Sequence, residues 1–244
     1  MIFAVVLAAG RGTRIHSQRD PLPKVMRPIL GRPMISYVLD ALSFVNETIV
    51  VVGYRQEAVR AALGDTVRYA EQLEQKGTGH AVLCTAALLE GFDGPVLICC
   101  GDMPLIRRET YQKLLAWHTE KGNACTLLSG TSDRDLPYGR VQRDEAGAFG
   151  CIIEETDCTP EQMAIAELNA GVYVMSAAAL FPALRALRPD NAQGELYLTD
   201  VPALLKQKGL RVDVCRSEYP DEIIGVNTPE DLARAEAMFA MRNV

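Results

Sequence analysis

Four apolar runs, "FAVVLAA" near residues 3–9, "TIVVVG" at 48–53, "PVLICCGD" at 95–102 and "ACTLLSG" at 124–130, alternate with helix-period segments over the first half of the chain. This alternation is the strongest constraint on the fold. Continuous Val/Ile/Leu runs of strand length suit strands buried on both faces, and such strands belong to a parallel sheet covered by helices. The segments between them, "PMISYVLDALSFV" from Pro33, "RQEAVRAAL" from Arg55, "GHAVLCTAALLE" from Gly79 and "RETYQKLLAWHTE" from Arg108, carry the helical period. The order βαβαβαβ predicts an α/β class and a doubly wound, Rossmann-like sheet. After about residue 137 the pattern changes. A hairpin turning near Glu145–Gly147 is followed by the strand "LNAGVYVMS", helices through "AAALFPALRAL" and "LTDVPALLKQ", the strand "LRVDVC", and a last helix capped by Thr228. These later elements complete a mixed sheet. The expectation is a single domain over 1–244: a first half at 1–136, a second half at 137–227, and a C-terminal helix at 228–244.

Bulk properties exclude several classes. The chain has 244 residues, 48% hydrophobic and 23% charged, with a net charge of -6. A sequence-independent nucleic-acid surface needs a basic face, so nucleic acid is not an expected partner. No run approaches the ~18 apolar residues that span a membrane, and "MIFAVVLAAG" lacks the basic start of a signal peptide. Seven scattered cysteines without a CxxC pair suit a reduced, cytoplasmic setting. Three histidines, His16, His80 and His118, are too few and too dispersed for a His/Cys zinc cluster.

The first strand ends in "LAAGRGTR", Leu7 to Arg14, and "LPK" follows with Lys24. Glycines in such a turn let backbone N–H groups face an anion. The loop is not a Walker loop, which reads GxxxxGK[ST]. It is not a dinucleotide fingerprint either, because Ile15 stands at the third glycine position and the second strand ends in Gly53 and Tyr54 rather than an acid. A nicotinamide oxidoreductase is therefore disfavoured. Alone, the loop reads either as an anion-binding turn or as an ordinary strand-to-helix turn with a basic surface. Asp102, just past a buried strand in "GDMPL", lies where open α/β sheets bind ligands, and a carboxylate there suits Mg²⁺.

The order "GxGTR", about ten residues, "LPK" resembles the signature of the sugar-1-phosphate nucleotidyltransferases, and the resemblance extends over about residues 5 to 230. It is nearest to the pyrophosphorylase part of the bacterial N-acetylglucosamine-1-phosphate uridyltransferases. It implies the nucleotide-diphospho-sugar transferase fold, with 1–136 as the nucleotide-binding half and 137–227 as the sugar-binding half. In that family the loop wraps the nucleotide, which here means Leu7, Ala8, Ala9, Gly10, Arg11, Gly12 and Thr13, while Arg14 with Arg11 neutralises the pyrophosphate and Lys24 the α-phosphate. "EQLEQKGTGHA" at 71–81 looks like the uracil-reading segment, with Gln72 and the backbone at Gly77 and Thr78 on the base. A carboxamide offers both a donor and an acceptor, as a uracil edge requires. Taken alone, Gln72 reads as a surface glutamine and His80 as a helix-start residue that packs locally, and His80 is given no chemical role. Cys100 and Gly101 complete the nucleotide side. Gly139 in "YGR", Glu154 in "IIEE" and Asn169 in "LNAG" match residues that line the sugar pocket. "NAQGELYLTD" at 191–200, with Tyr197 and Thr199, resembles the segment that closes over the amino sugar. Asp102 and Asn227, in "GVNTPEDL", match the metal ligands.

The resemblance thus implies a Mg²⁺-dependent uridyltransferase acting on UTP and a sugar 1-phosphate, most closely N-acetylglucosamine 1-phosphate, with homo-oligomerisation left open. Two departures stand out. The segment "IHSQRDPLPK" is longer than the common form, and Ala170 occupies a position where threonine is common. No hexapeptide repeat follows Asn227, so acetyl transfer is not expected. The competing readings are a nucleotidyltransferase for another nucleotide or phosphorylated acceptor, and a catalytically silent sugar-nucleotide sensor.

Overall fold

Alternate residues of Phe3–Leu7 enter two different cores. Ala4 and Val6 join one apolar cluster, and Phe3 and Val5 join the other. The period-two alternation of a strand, with apolar residues at every position, produces this double-sided burial. The computed structural model describes residues 1–12 and 22–242. Its strands are β1 (Phe3–Leu7), β2 (Pro28–Ile29), β3 (Arg32–Pro33), β4 (Glu47–Val52), β5 (Arg68–Glu71), β6 (Pro95–Cys100), β7 (Cys125–Gly130), β8 (Arg140–Arg143), β9 (Phe149–Ile153), β10 (Leu168–Ser176) and β11 (Val212–Arg216). Its helices are α1 (Met34–Ala41), α2 (Gln56–Leu63), α3 (Thr78–Leu83), α4 (Arg108–Lys121), α5 (Pro160–Met163), α6 (Ala177–Leu184), α7 (Val201–Gln207) and α8 (Pro229–Arg242).

Seven strands lie side by side in the order β11-β7-β10-β6-β1-β4-β5, and the β8–β9 hairpin joins through β8 on β10. β1 is parallel to both β4 and β6, and β4 to β5. β10 enters antiparallel between β6 and β7, so the sheet is mixed. One face is covered by α1, α2, α4 and α8, through Met34, Ile35, Val38, Val59, Leu63, Tyr111, Leu114 and Ala235. The other is covered by α3, α6 and α7, through Ala81, Val82, Leu180, Leu184, Val201 and Leu205. This is the doubly wound α/β architecture that the alternation predicts. All seven cysteines are free. No helix among the described residues is long and apolar enough to cross a membrane.

Three local differences from the sequence reading have physical causes. The segment from Gly79 is not one helix: α3 stops at Leu83, and a 3-10 turn covers Ala86–Leu89. There Thr85 turns its hydroxyl onto the Val82 carbonyl at 2.7 Å, the side-chain competition by which threonine interrupts helices. Pro33 precedes α1 as its N-cap instead of sitting in its first turn. The fourth parallel strand, β5, has the sequence "RYAE" and was not expected. It lies at the sheet edge, with only Ala70 buried, so it lacks the apolar run that marks its neighbours.

The topology fixes where a ligand can sit. Leu7 is in register with Val51 and with Cys100, so β1, β4 and β6 end at one edge, and the loops after them cluster there. Because β10 runs the opposite way, its start, Leu168 to Gly171, reaches that same edge. A register shift between Asn169 and Tyr173 bends β10 beside it.

Candidate active site

Two cavities open at this edge of the sheet. The first, of about 270 Å³, is lined by Leu7, Ala8, Ala9 and Gly10 after β1, by Lys24 and Val25, by Gln72, Gln75, Gly77, Thr78 and Ala81, and by Cys100, Asp102 and Glu195. The second, of about 180 Å³, is lined by Cys100, Asp102 and Met103, by Pro137, Tyr138 and Gly139, by Glu154, by Asn169, Ala170 and Gly171, and by Gly225 and Asn227. They share Cys100 and Asp102. The last residue of a buried strand and the carboxylate just beyond it are therefore the wall between the two compartments.

At this junction the Lys24 ammonium donates to Asp102 Oδ2, and to Asn227 Oδ1 at 2.7 Å. Among the described residues lining the first cavity Lys24 is the one basic side chain, against the acids Asp102 and Glu195. Gly12 lets the lysine sit there. Its φ is +65°, and a Cβ would stand 2.4 Å from Lys24 Cβ. Asn227 is held from behind: its backbone N–H donates to Asp231 Oδ2 at 3.1 Å, Thr228 and Asp231 cap α8 reciprocally, and Arg134 pairs with Asp231 at 2.8 Å. The Val226 N–H donates to the Asp102 carbonyl at 2.9 Å, tying the two strand-end loops together.

The donor set fits a hard divalent cation. A carboxylate oxygen and an amide oxygen already converge on one cationic group, the Lys24 ammonium. No cluster of three His, Cys, Asp or Glu that could hold a metal is found among the described residues. Two protein oxygens with the remaining positions left to phosphate and water is the pattern Mg²⁺ accepts.

On the first cavity's far wall Gln72 is 4% exposed, so it is not a surface glutamine. Its amide nitrogen donates to the Gly77 carbonyl at 3.0 Å and meets His80 Nδ1 at 3.1 Å. Of the donor and acceptor expected of this carboxamide, only the acceptor oxygen is left open among the described residues. Gly77, at φ +103°, packs so tightly that a Cβ would fall 2.5 Å from the Leu196 carbonyl oxygen. Strand-like bonds seal this turn to the 191–198 segment: Leu196 N–H to Lys76 O and Gly79 N–H to Leu196 O, both 2.8 Å, and Leu198 N–H to Thr78 Oγ1 at 3.0 Å. That segment also puts Glu195 into the first cavity.

In the second cavity Thr199 donates to Glu154 Oε1 at 2.8 Å. Burial raises the Glu154 carboxyl above its usual range, and the Thr199 hydroxyl opposes this. A carboxyl raised by folding contributes stability that is complete below the unfolded value, about pH 4, and is lost as pH rises through the folded value. We expect the Glu154→Gln protein to lack this component. Urea unfolding from pH ~4 upward should show the wild type losing stability relative to the variant, whereas parallel profiles would contradict the assignment. Asn169 uses its side chain across the bend in β10, donating to Tyr173 Oη at 2.7 Å and accepting from Gly171 N–H at 3.2 Å.

The structure therefore gathers Leu7 to Gly10, Lys24, Gln72, Gly77, Thr78, Cys100 and Asp102 around one cavity, and Gly139, Glu154, Asn169 and Asn227 around the next. Gly101 lies directly behind them, its N–H on the Leu7 carbonyl at 2.9 Å. Arg11 is exposed, with its guanidinium carbon 5.7 Å from the Tyr54 ring centroid. Tyr197 is buried and lines neither cavity, and Thr199 reaches the second through Glu154. Thr13 and Arg14 lie outside the described residues. Gln75, Glu195, Met103 and Tyr138 line the cavities without having been read from the sequence. Tyr138 accepts a hydrogen bond from Gly225 N–H at 2.6 Å, and its signal was the "YGR" motif, of which only the glycine was used.

The family described as the MobA-like NTP transferase domain matches residues 4–207. The chain is 44% identical over 243 residues to the bifunctional protein GlmU of Pelotomaculum thermopropionicum, covering 99% of this chain and 52% of that protein. It is 45% identical over 246 residues to the bifunctional protein GlmU of Pelobacter propionicus, covering 99% and 53%, and 45% over 241 residues to that of Heliobacterium modesticaldum, covering 98% and 52%. The chain thus spans about half the length of the curated relatives it matches.

Proposed function

Because the chain belongs to the MobA-like NTP transferase domain family, we propose that it is a uridyltransferase that joins UTP to N-acetylglucosamine 1-phosphate, giving UDP-N-acetylglucosamine and pyrophosphate. The observation that carries this reading is the junction of the two cavities, where Lys24, Asp102 and Asn227 meet. A nucleotide in the first cavity and a sugar in the second would bring their phosphates together at those three side chains.

A sugar-phosphate oxygen attacks the α-phosphorus of UTP, the new P–O bond forms in line, and the bond to pyrophosphate breaks. The attacking oxygen is already anionic near neutral pH, so no side chain has to remove a proton. The protein's part is alignment and charge. Lys24 brings a compact positive charge to the α-phosphoryl group. Arg14, together with Arg11, holds the leaving pyrophosphate. Asp102 and Asn227 hold Mg²⁺, which when bound neutralises phosphate charge and fixes the phosphates for displacement. Leu7, Ala8, Ala9, Gly10, Gly12 and Thr13 wrap the nucleotide, with Cys100 and Gly101 at its floor. Gln72 Oε1 accepts from N3–H of the uracil beside the Gly77–Thr78 backbone. Gly139, Glu154 and Asn169 read the sugar, and Tyr197 and Thr199 support the segment that closes over it. Seven free thiols support a cytoplasmic setting.

The test is pyrophosphate release measured over four nucleoside triphosphates, each paired with several sugar 1-phosphates. The expected result is fastest release from UTP with N-acetylglucosamine 1-phosphate, dependent on Mg²⁺. Faster release with another nucleotide or another sugar would replace that substrate in the reading. Tight UDP-sugar binding without pyrophosphate release would make the chain a sensor.

A further inference from the structure

Helix α3 begins Thr78, Gly79, His80, and the third residue carries a side chain that no step above uses. Its ring Nδ1 lies 3.1 Å from the Gln72 amide nitrogen, and its Nε2 lies 4.0 Å from Cys84 Sγ. The same amide nitrogen donates to the Gly77 carbonyl at 3.0 Å. A primary amide nitrogen carries two hydrogens, and a neutral imidazole carries one. Both Gln72 hydrogens are therefore engaged, one by Gly77 and one by His80 Nδ1, and the imidazole proton sits on Nε2, facing the Cys84 sulfur. What remains is Gln72 Oε1, on a buried residue that lines the first cavity. Turning the amide by half a revolution would set Oε1 against the Gly77 carbonyl, and would keep a bond to His80 only if the ring proton moved to Nδ1.

We infer that His80 is a positioning residue for base selection: by accepting from Gln72 it holds the amide oxygen toward the base, so that the site takes a pyrimidine with a hydrogen on N3 and rejects one with a lone pair there. The inference rests on the uridylyl-transfer reading. Uracil presents N3–H to that oxygen, whereas cytosine presents a lone pair and meets repulsion. Gly77 supplies one of the two anchors and His80 the other, so the histidine contributes part of the discrimination, on the scale of one neutral hydrogen bond.

The experiment compares kcat/KM for UTP and for CTP in five proteins: wild type, His80→Phe, His80→Asn, Gln72→Leu, and the His80→Phe/Gln72→Leu double variant. The ratio in His80→Phe should fall about tenfold, with the change in KM and not in kcat. Asparagine places an oxygen where Nδ1 stands, so His80→Asn should retain the ratio. In the Gln72→Leu background the change at position 80 should alter the ratio less than about twofold, because the coupling of two contacting residues vanishes when one is removed. An unchanged ratio in His80→Phe, an equal fall in the Gln72→Leu background, or failure of asparagine to rescue would each overturn the inference. If the phenylalanine protein does not fold, His80→Ala carries the same expectation. A wild type without preference for UTP would remove the uridylyl reading itself. A wild type that prefers UTP, with His80→Phe equal to it, would remove the role of His80 alone.

Discussion

Lys24→Ala is expected to lower pyrophosphate release by about 10²–10³-fold, the cost typical of deleting one preorganised electrostatic contact in an active site. The reason lies in the composition of the cavity wall. Among the described residues lining it, Lys24 is the one cation, and two carboxylates, Asp102 and Glu195, share that wall with it. Without the ammonium, the α-phosphoryl group would face those two carboxylates with no positive charge from this wall. The lysine is also placed, not merely present: Asp102 and Asn227 hold its Nζ, and Gly12 leaves room beside its Cβ. Because Lys24 is not a metal ligand in this account, raising Mg²⁺ should not restore turnover. The fold should survive, since the ammonium bonds to Asp102 and Asn227 on loops at the sheet edge. Steady-state pyrophosphate release, with urea unfolding as the control, checks this. Turnover within tenfold of wild type, or a loss reversed by Mg²⁺, would contradict the role given to Lys24.

Asp102→Asn is expected to lose a similar factor, about 10²–10³, for a different reason. The substitution keeps an oxygen in nearly the same place and removes the charge. Lys24 then loses its ionic partner and the metal position loses the one carboxylate assigned to it among the described residues, which weakens binding of a hard cation more than binding of the nucleotide. The apparent Mg²⁺ requirement should rise, and high Mg²⁺ should recover part of the rate. The pair of variants thus separates two roles at one point in space: metal rescue with Asp102→Asn, none with Lys24→Ala. Identical metal dependence in both would mean that the two side chains act only as a salt bridge.

Much of this arrangement is legible in the sequence. β1, β4, β6 and β7 announced themselves because strands buried on both faces need no polar alternation, and that same property named the sheet as doubly wound. β5 escaped because an edge strand with only Ala70 buried carries no such signal. At the site, Asp102 could be read from its place after a buried strand. The meeting of Lys24 with Asp102 and Asn227 could not, because those contacts span 78 and 203 residues and depend on the turn past β6 and the cap of α8. The role of His80 is hidden in the sequence for a related reason. Its partner Gln72 lies across the Gly77 turn, so the contact follows from a left-handed backbone angle and not from a spacing. Tyr197 marks the opposite case. The motif around it matched, yet its side chain is buried and lines neither cavity.

The central claim is that the bond broken is the one between the α-phosphorus of UTP and its pyrophosphate. UTP labelled separately at the α- and γ-phosphorus, incubated with N-acetylglucosamine 1-phosphate and Mg²⁺, tests it directly. The α-label should appear in the UDP-sugar and the γ-label in pyrophosphate, in equal amounts and at equal rates. Transfer of the γ-label to the sugar, or release of either label as inorganic phosphate without a UDP-sugar, would contradict it.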